Sequence, residues 1–416
     1  MLKKVISTAV KSPVTITSTP SRAFTADPKQ FDDIKAQDPR TPDYFMKLEW
    51  DYGCHNYQSV PVIISRAKGS EVWDVEGKKY LDFLSGFSVV NQGHCHPKIL
   101  KAMVEQAEKL TLTSRAFYND LLGPWEQHLT KTFGYQKALC MNTGVEAGES
   151  GVKLARRWAY RVKKVPENKA KVLFAKGNFW GRTLAACASS DDPYRYHQFG
   201  PFDMGFDLID YGDANALEEA LKADPNIAAY MLEPIQGEAG VVIPPDGYLK
   251  KVRELCTKYN VLMICDEVQT GLGRTGKLFA HQYDGIRPDI LLLGKALSGG
   301  FYPVSAILAD DEVMMTIQPG EHGSTYGGNP LACAIGKASL DVLFEENLIE
   351  RSATLGEALR KGLRDLKKDF VIDVRGRGLL GALEIDPKAK FSAWDVCLKL
   401  KENGIITKTT KGNIIR

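Results

Sequence analysis

The chain predicts an α/β fold: a large domain with a mostly parallel sheet between helices, followed by a smaller α+β domain. Three observations predict it. Through the middle of the 416 residues, short wholly apolar runs alternate with amphipathic stretches of helical spacing. Several of those runs end on a charged residue, as the carboxyl ends of strands do when they line a site. After Asn329-Pro330 the texture changes to long amphipathic helices with two strands between them.

Each element follows from its own pattern. Residues 27–56 are polar and aromatic with Pro28, Pro39 and Pro42, which predicts an extended arm. Segments 60–67, 71–75 and 79–83 predict short strands, with Gly69 and Gly77 at the turns. The spacing of Ile99, Met103, Ala107 and Leu110 predicts a helix over 97–110, and that of Val152, Ala155, Trp158, Ala159 and Val162 a helix over about 149–163. Strands are expected at 171–175, 228–234, 261–266 and 289–295, with helices at 214–222 and 248–259 between them. Further on, helices are expected at 331–345, 348–367 and 393–403 and strands at 371–375 and 379–384. The chain then divides into 1–26, a transit peptide or disordered tail; 27–90, an arm and strands packing with the small domain; 91–328, the large domain; and 329–416, the small domain.

Composition narrows the function. With 54 basic against 51 acidic residues the net charge is only +3, so no global field points to nucleic acid or an anionic membrane. No apolar run reaches the length of a membrane span. The eight cysteines are scattered and form no C-x-x-C pair, which fits a reducing compartment rather than a disulfide framework. His94-Cys95-His96 has no distant partner pair, so no metal site is expected. Residues 1–26 contain no Asp or Glu, carry Lys3, Lys4, Lys11 and Arg22, and are rich in Ser and Thr. That composition predicts a mitochondrial transit peptide and a matrix location, with a disordered cytoplasmic tail as the alternative.

The chemistry gathers at strand ends. The run 261–265 leads into Asp266-Glu267, 290–294 into Lys295, and 230–232 into Glu233 with a Gln236-Gly237-Glu238 turn behind it. A charge after one strand is most often a solvated loop start; a lysine and a carboxylate after two neighbouring apolar strands are harder to explain that way. Asn142-Thr143-Gly144-Val145-Glu146-Ala147-Gly148 precedes a helix, and small residues there expose N–H groups suited to a phosphate. Gly271-Leu272-Gly273-Arg274-Thr275-Gly276 matches G-x-G-x-x-G, but Asp266 to Thr270 separate it from the strand end and no clear helix follows, so a nicotinamide site is not expected.

These residues carry a family resemblance. Asp266-Glu267-Val268-Gln269-Thr270-Gly271, Arg274-Thr275-Gly276, Pro288-Asp289 and Gly294-Lys295-Ala296-Leu297 together resemble the signature of class III aminotransferases, fold-type I enzymes that use pyridoxal 5'-phosphate. Within that class, Tyr52-Gly53-Cys54-His55-Asn56-Tyr57, Asn91-Gln92-Gly93-His94-Cys95-His96-Pro97, Gly177-Asn178-Phe179-Trp180-Gly181-Arg182-Thr183, Glu233-Pro234-Ile235-Gln236-Gly237-Glu238 and His322-Gly323-Ser324-Thr325-Tyr326 resemble the ornithine aminotransferases. The likeness runs from about residue 43 to 416.

What the resemblance implies is specific. Lys295 is similar to the lysine that bonds to the cofactor aldehyde and then moves a proton, and Asp266 to the carboxylate that keeps the pyridine nitrogen protonated. Gly144 and Val145 resemble backbone phosphate donors, and Thr325 the phosphate ligand from the neighbouring subunit of a homodimer whose site lies at the interface; Ser324 is counted with the cofactor-binding residues. Phe179 resembles the ring-stacking aromatic and Gln269 the partner of the ring hydroxyl. Tyr57 resembles a substrate-positioning hydroxyl and Arg182 the substrate-carboxylate clamp, for which a guanidinium fork suits better than an ammonium. Glu238 and Arg416 resemble a switchable pair, in which Glu238 masks Arg416 for one substrate and frees it for the other. The implied reaction moves the δ-amino group of L-ornithine to 2-oxoglutarate. Two departures stand out: Phe87 replaces an aromatic hydroxyl, and the chain stops at Arg416 where the family continues for a strand and a helix. The first leaves room for N-acetylornithine or 4-aminobutyrate as donor; the second predicts a truncated small domain. The rivals from other classes are a Rossmann oxidoreductase and a non-catalytic protein of the same fold.

Overall fold

In a computed structural model, which describes residues 40–416, a helix (Pro42–Tyr52) is followed by three short antiparallel strands: β1 (Ile64–Lys68), β2 (Glu71–Asp74) and β3 (Lys79–Asp82). Gly69 and Gly77 turn the chain between them with φ of +60° and +84°, a region open to glycine without penalty. The central sheet follows, built from β4 (Lys137–Met141), β5 (Lys171–Ala175), β6 (Phe206–Ile209), β7 (Ile227–Leu232), β8 (Leu262–Asp266), β9 (Ile290–Leu293) and β10 (Ser305–Ala309). Its spatial order is β4-β10-β9-β8-β7-β5-β6, and β10 alone runs antiparallel to its neighbours.

Every residue of β7, β8 and β9 is buried, which is why these strands read as unbroken apolar runs rather than alternating ones. Tyr230, Leu232, Met263, Cys265, Leu291 and Leu293 pack into one core. The intervening Met231, Ile264, Ile290 and Leu292 pack into another, under Val152, Leu154 and Trp158 of the helix Gly144–Trp158. Because β7, β8 and β9 are parallel, their carboxyl ends lie along one edge of the sheet, and Glu233, Asp266 and Lys295 come from three adjacent strands.

The last segment holds β11 (Val371–Arg377), β12 (Leu380–Ile385), β13 (Ile405–Ile406), β14 (Thr409–Thr410) and β15 (Ile414–Ile415), with helices Leu348–Arg364 and Ala393–Glu402 against them, while helix Pro330–Glu345 packs on helix Pro97–Ala107 and the turn after β9. β11, β12, β15 and β14 form a sheet, while β13 leaves it to pair in parallel with β3, Ile405 opposite Leu81. The beginning and the end of the described chain are thus hydrogen-bonded to each other.

Several expectations need correction. The arm over 27–56 is not extended throughout: Pro42–Tyr52 is a helix, capped by the Thr41 side chain with proline at its first turn, where a fixed φ favours helix entry. The helix expected from 149 begins at Gly144, because Thr143 and Glu146 form a reciprocal capping box. It stops being α-helical at Trp158 and closes through a π turn, Ala159–Lys163. Strands β4, β6 and β10 and the helix Leu122–Phe133 were not foreseen. The transit-peptide reading of 1–26 lies outside the described residues.

Candidate active site

The amine and its carboxylates. Lys295 opens a short 3-10 turn immediately after β9 with φ of +45°, a left-handed conformation unusual for a lysine. The residue is partly exposed, but burial of its amine holds it below the ordinary lysine range even though Glu238 and Asp266 pull the other way. Among the described residues no carboxylate comes within ion-pair distance of it. Asp266 ends β8, 5 % exposed. Its Oδ1 accepts the Val268 N–H at 2.9 Å, and burial pushes its carboxyl up to about 6 against the opposing pull of that bond and of Lys295. Glu267, the next residue, turns the other way into the protein, where it takes the Thr270 hydroxyl and the Ala280 and His281 N–H groups. The pair Asp266-Glu267 therefore splits into one carboxylate left under-bonded beside the amine and one fully satisfied in the frame.

The phosphate end. A cavity of about 340 Å³ is lined by Asn142, Thr143, Gly144, Lys295, Ser298 and Gly300, among others. The N-terminal turn of the helix Gly144–Trp158 therefore forms part of the same cavity wall as Lys295. A Cβ on Gly144 would lie 2.8 Å from Val268 Cγ1, so the helix start needs glycine to come this close to the strand ends. Val145 sits one residue further on, against Gly181. Ser324 Oγ accepts from Asn142 Nδ2 at 3.0 Å, next to this helix start, while Thr325 is exposed.

The substrate side. Phe179 donates its N–H to Glu233 Oε1 at 3.0 Å, and the guanidinium groups of Arg195 and Arg182 lie 4.7 and 5.7 Å from its ring centre. Arg182 itself is exposed. Arg416 donates to Glu238 and, at 3.0 Å, to Gln269 Oε1, and its guanidinium lies 4.8 Å over the Phe87 ring. A Cβ on Gly237 would be 2.1 Å from Gln269 Oε1, so the turn carrying Glu238 fits against Gln269 only with glycine there. Burial works to raise the Glu238 carboxyl, but Arg416 holds it below its ordinary range. Tyr57 is 73 % exposed, with Lys408 Nζ 5.7 Å from its ring. The structure thus joins Phe87, Glu238, Gln269 and Arg416 in one cluster and Lys295, Gly144 and Asn142 in another, the two linked by the charges of Asp266, Glu238 and Lys295; Tyr57, Arg182 and Thr325 stay on the surface of the single chain.

Two residues were given no role from the sequence. Glu233 is buried at the end of β7 and accepts N–H groups from Phe179 and Gly237, both at 3.0 Å. Burial, with Asp266 nearby, lifts its carboxyl to about 8. Its place at a strand end was the available signal. Arg195, 8 % exposed, anchors to the Asn178 carbonyl at 2.8 Å; nothing in its local sequence pattern marks it. His94 and His96 go to Asp82 and Glu346, not to each other.

The residues fit a flat, phosphorylated aldehyde. An amine that burial holds below the ordinary lysine range is available for the carbonyl, an under-bonded buried carboxylate for a protonated ring nitrogen, and a glycine-started helix for the phosphate. Residues 52–416 match the family described as Aminotransferase class-III. The mitochondrial ornithine aminotransferase of Drosophila ananassae is 63 % identical over 365 residues, covering 88 % of this chain and 84 % of its own. A Toxoplasma gondii ornithine aminotransferase structure, described as having partial occupancy of PLP at its active site, superposes with a TM-score of 0.90 at 50 % identity over 95 % of this chain and 92 % of that one. An acetylornithine aminotransferase from Elizabethkingia anophelis superposes with a TM-score of 0.82 at 52 % identity over 90 % and 92 %.

Proposed function

The chain belongs to the class-III aminotransferases, and from that premise we propose that it transfers the δ-amino group of L-ornithine to 2-oxoglutarate, giving glutamate 5-semialdehyde and glutamate, with pyridoxal 5'-phosphate as cofactor. The cofactor supplies an aldehyde to take up the amino group and a ring to take up the electron pair left on the substrate carbon. Lys295 would hold that aldehyde, and its amine is the group placed to carry a proton at the substrate carbon. Asp266 would keep the ring nitrogen protonated, Gly144 and Val145 would offer backbone N–H groups to the phosphate, Phe179 would support the ring and Gln269 would serve its hydroxyl. Thr325 would complete the phosphate site from a second subunit of a homodimer, while Ser324 stays beside Asn142 and the helix start of its own chain. Tyr326, next to Thr325 and 52 % exposed, supports a second copy covering it, as do the exposed Phe117 and Tyr118 at 73 and 104 % for their own segment. The relatives' mitochondrial naming supports a matrix location.

The observation that carries the substrate assignment is the clamp at Arg416. A guanidinium held by Glu238 and Gln269 beside the amine is a carboxylate site that starts out occupied. While Glu238 masks it, a donor with a single carboxylate is held by Arg182, with Tyr57 placing its α-amino end. When Glu238 lets go, Arg416 takes the second carboxylate of glutamate or 2-oxoglutarate. Single-turnover rates of ornithine and glutamate with the Glu238→Ala holoenzyme test this: glutamate should gain relative to ornithine, and an unchanged ratio removes the gate. A second reading has its own support. Phe87 lacks a hydroxyl, and an acetylornithine aminotransferase is as similar in structure as several ornithine enzymes, so N-acetylornithine is the next donor to assay.

A further inference from the structure

Two sequence motifs stand outside the roles assigned above: the loop Gly271-Leu272-Gly273-Arg274-Thr275-Gly276 and the triplet His94-Cys95-His96. Both reach the segment that carries Phe87. Ser85, Gly86, Phe87 and Ser88 have successive φ values of +55°, +56°, +62° and +70°. A left-handed run with a single glycine in it persists only where its surroundings over-determine it.

The surroundings do so from two sides. Asp82 Oδ1 accepts the N–H groups of Leu84 and Ser85, both at 2.9 Å, and its Oδ2 lies 2.7 Å from His94 Nε2. Burial works to raise the Asp82 carboxyl, yet His94 and the two N–H donors hold it below its ordinary range. On the other side, Arg274 Nη2 donates to Ser85 Oγ at 2.9 Å and its Nε to Asn91 Oδ1 at 3.0 Å. Asn91 Nδ2 returns a bond to the Leu272 carbonyl at 3.0 Å. Arg274 is pinned in turn through its own carbonyl, which accepts from Leu379 N and Ser352 Oγ, both at 2.9 Å. Among the described residues no carboxylate comes within ion-pair distance of its guanidinium, and burial brings it down to about 10. The Asp82 carboxylate supports this charge from beyond ion-pair distance, and the guanidinium's fork of donors fixes Ser85 and Asn91 together.

We propose that Arg274, with Asp82 and His94, is a brace of positioning residues that holds the left-handed turn 85–88 so that the Phe87 ring lies on the Arg416 guanidinium, and thereby sets the affinity of the second-carboxylate clamp. The brace acts through Phe87 and touches neither substrate nor cofactor. With it in place, Arg416 is held by Glu238 and Gln269 at its donors and by the ring on its face. Without it, the turn relaxes toward right-handed backbone and the guanidinium loses its floor.

The inference rests on the proposed reaction, and the experiment separates the two. Holoenzyme carrying Arg274→Met, Arg274→Lys or Ser85→Ala is compared with the unmodified protein. In Arg274→Met the KM for 2-oxoglutarate should rise about tenfold, the scale of one lost hydrogen bond to a charged group, while the single-turnover rate with ornithine moves less than about threefold. Arg274→Lys should fall between, and Ser85→Ala, which removes only one acceptor, should raise KM roughly two- to fourfold. A crystal structure of Arg274→Met should show residues 85–88 out of the left-handed region. A drop in thermal stability with KM unmoved, or a turn unchanged in that crystal structure, overturns the brace. Should Arg274→Met not fold, Ser85→Ala decides by the same KM. Absence of ω-amino turnover in the unmodified protein would instead defeat the reaction itself, leaving the crystallographic result to judge the turn.

Discussion

A buried amine next to a buried carboxylate ordinarily forms an ion pair, and Lys295 and Asp266 do not. Each is left with the bonding capacity that a ring and its aldehyde would take up, and that arrangement makes them separable by mutation. Asp266→Ala should keep the fold but lose about 3–5 kcal/mol of its interaction with a protonated ring, a drop in cofactor affinity or rate of about two to three and a half orders of magnitude. Spectrophotometric cofactor titration with steady-state rates measures it; wild-type values would mean that another group protonates the ring. Phe87 belongs to the same scale. Restoring a hydroxyl by Phe87→Tyr should raise kcat/KM for ornithine over N-acetylornithine and 4-aminobutyrate a few-fold to tenfold, the worth of one hydrogen bond of about 0.5–1.5 kcal/mol. Equal ratios in both proteins would place the discrimination with Tyr57, Arg182 or Glu238. Lys295 and Asp266 were legible in the sequence because each ends a wholly apolar run. Glu233 ends one too, but its two N–H donors come from segments 54 residues before and four after it, so its partners could not be read from its neighbourhood.

At the scale of elements, the end of β7 is the joint of the site. One carboxylate, Glu233, holds the Phe179 backbone on one side and the Gly237 turn that carries Glu238 on the other. Its folded-state value of about 8 lies above the ordinary 4.5, so the folded protein binds a proton here that the unfolded chain does not. Stability from this group is fully present below the unfolded value and is lost as pH rises through about 8. In cofactor-free protein, Glu233→Gln should therefore flatten the fall in melting temperature between about pH 4.5 and 8. An identical pH profile in both proteins would show that Glu233 ionises at ordinary pH. Elements with strong periodicity or caps were legible: β5, and the helices Tyr248–Lys258 and Leu348–Arg364, lie where the pattern put them to within a few residues. β4, β6 and β10 were not. β10, Ser305–Ala309, has two alanines and a serine and no alternation; its strand character comes from being hydrogen-bonded on both sides. The helix at Pro42–Tyr52 was masked by the prolines around it, although one of them starts it.

At the scale of the whole molecule, what a single chain leaves open is as informative as what it closes. Phe87, Glu238, Gln269 and Arg416 meet within one chain, and β3 pairing with β13 ties the segment bearing Phe87 to the one bearing Arg416. Thr325, by contrast, is exposed on a loop whose neighbour Ser324 is bonded to Asn142. If Thr325 serves the partner's phosphate site, two differently damaged chains should repair each other. A dimer of one Lys295→Ala chain and one Thr325→Val chain then has one site with both defects and one with neither. If Thr325 serves its own chain, every site in that dimer carries a defect. Thr325→Val alone should weaken cofactor binding by about 1.5–3 kcal/mol, the range for a hydrogen bond to a charged group, so the assay is run at limiting cofactor. Mixed dimers formed by co-expression with two different affinity tags should regain close to half the wild-type activity per dimer, well above either homodimer. Activity no greater than half that of the Thr325→Val homodimer would place Thr325 in its own subunit's site and leave the phosphate to Gly144, Val145 and the helix start behind them.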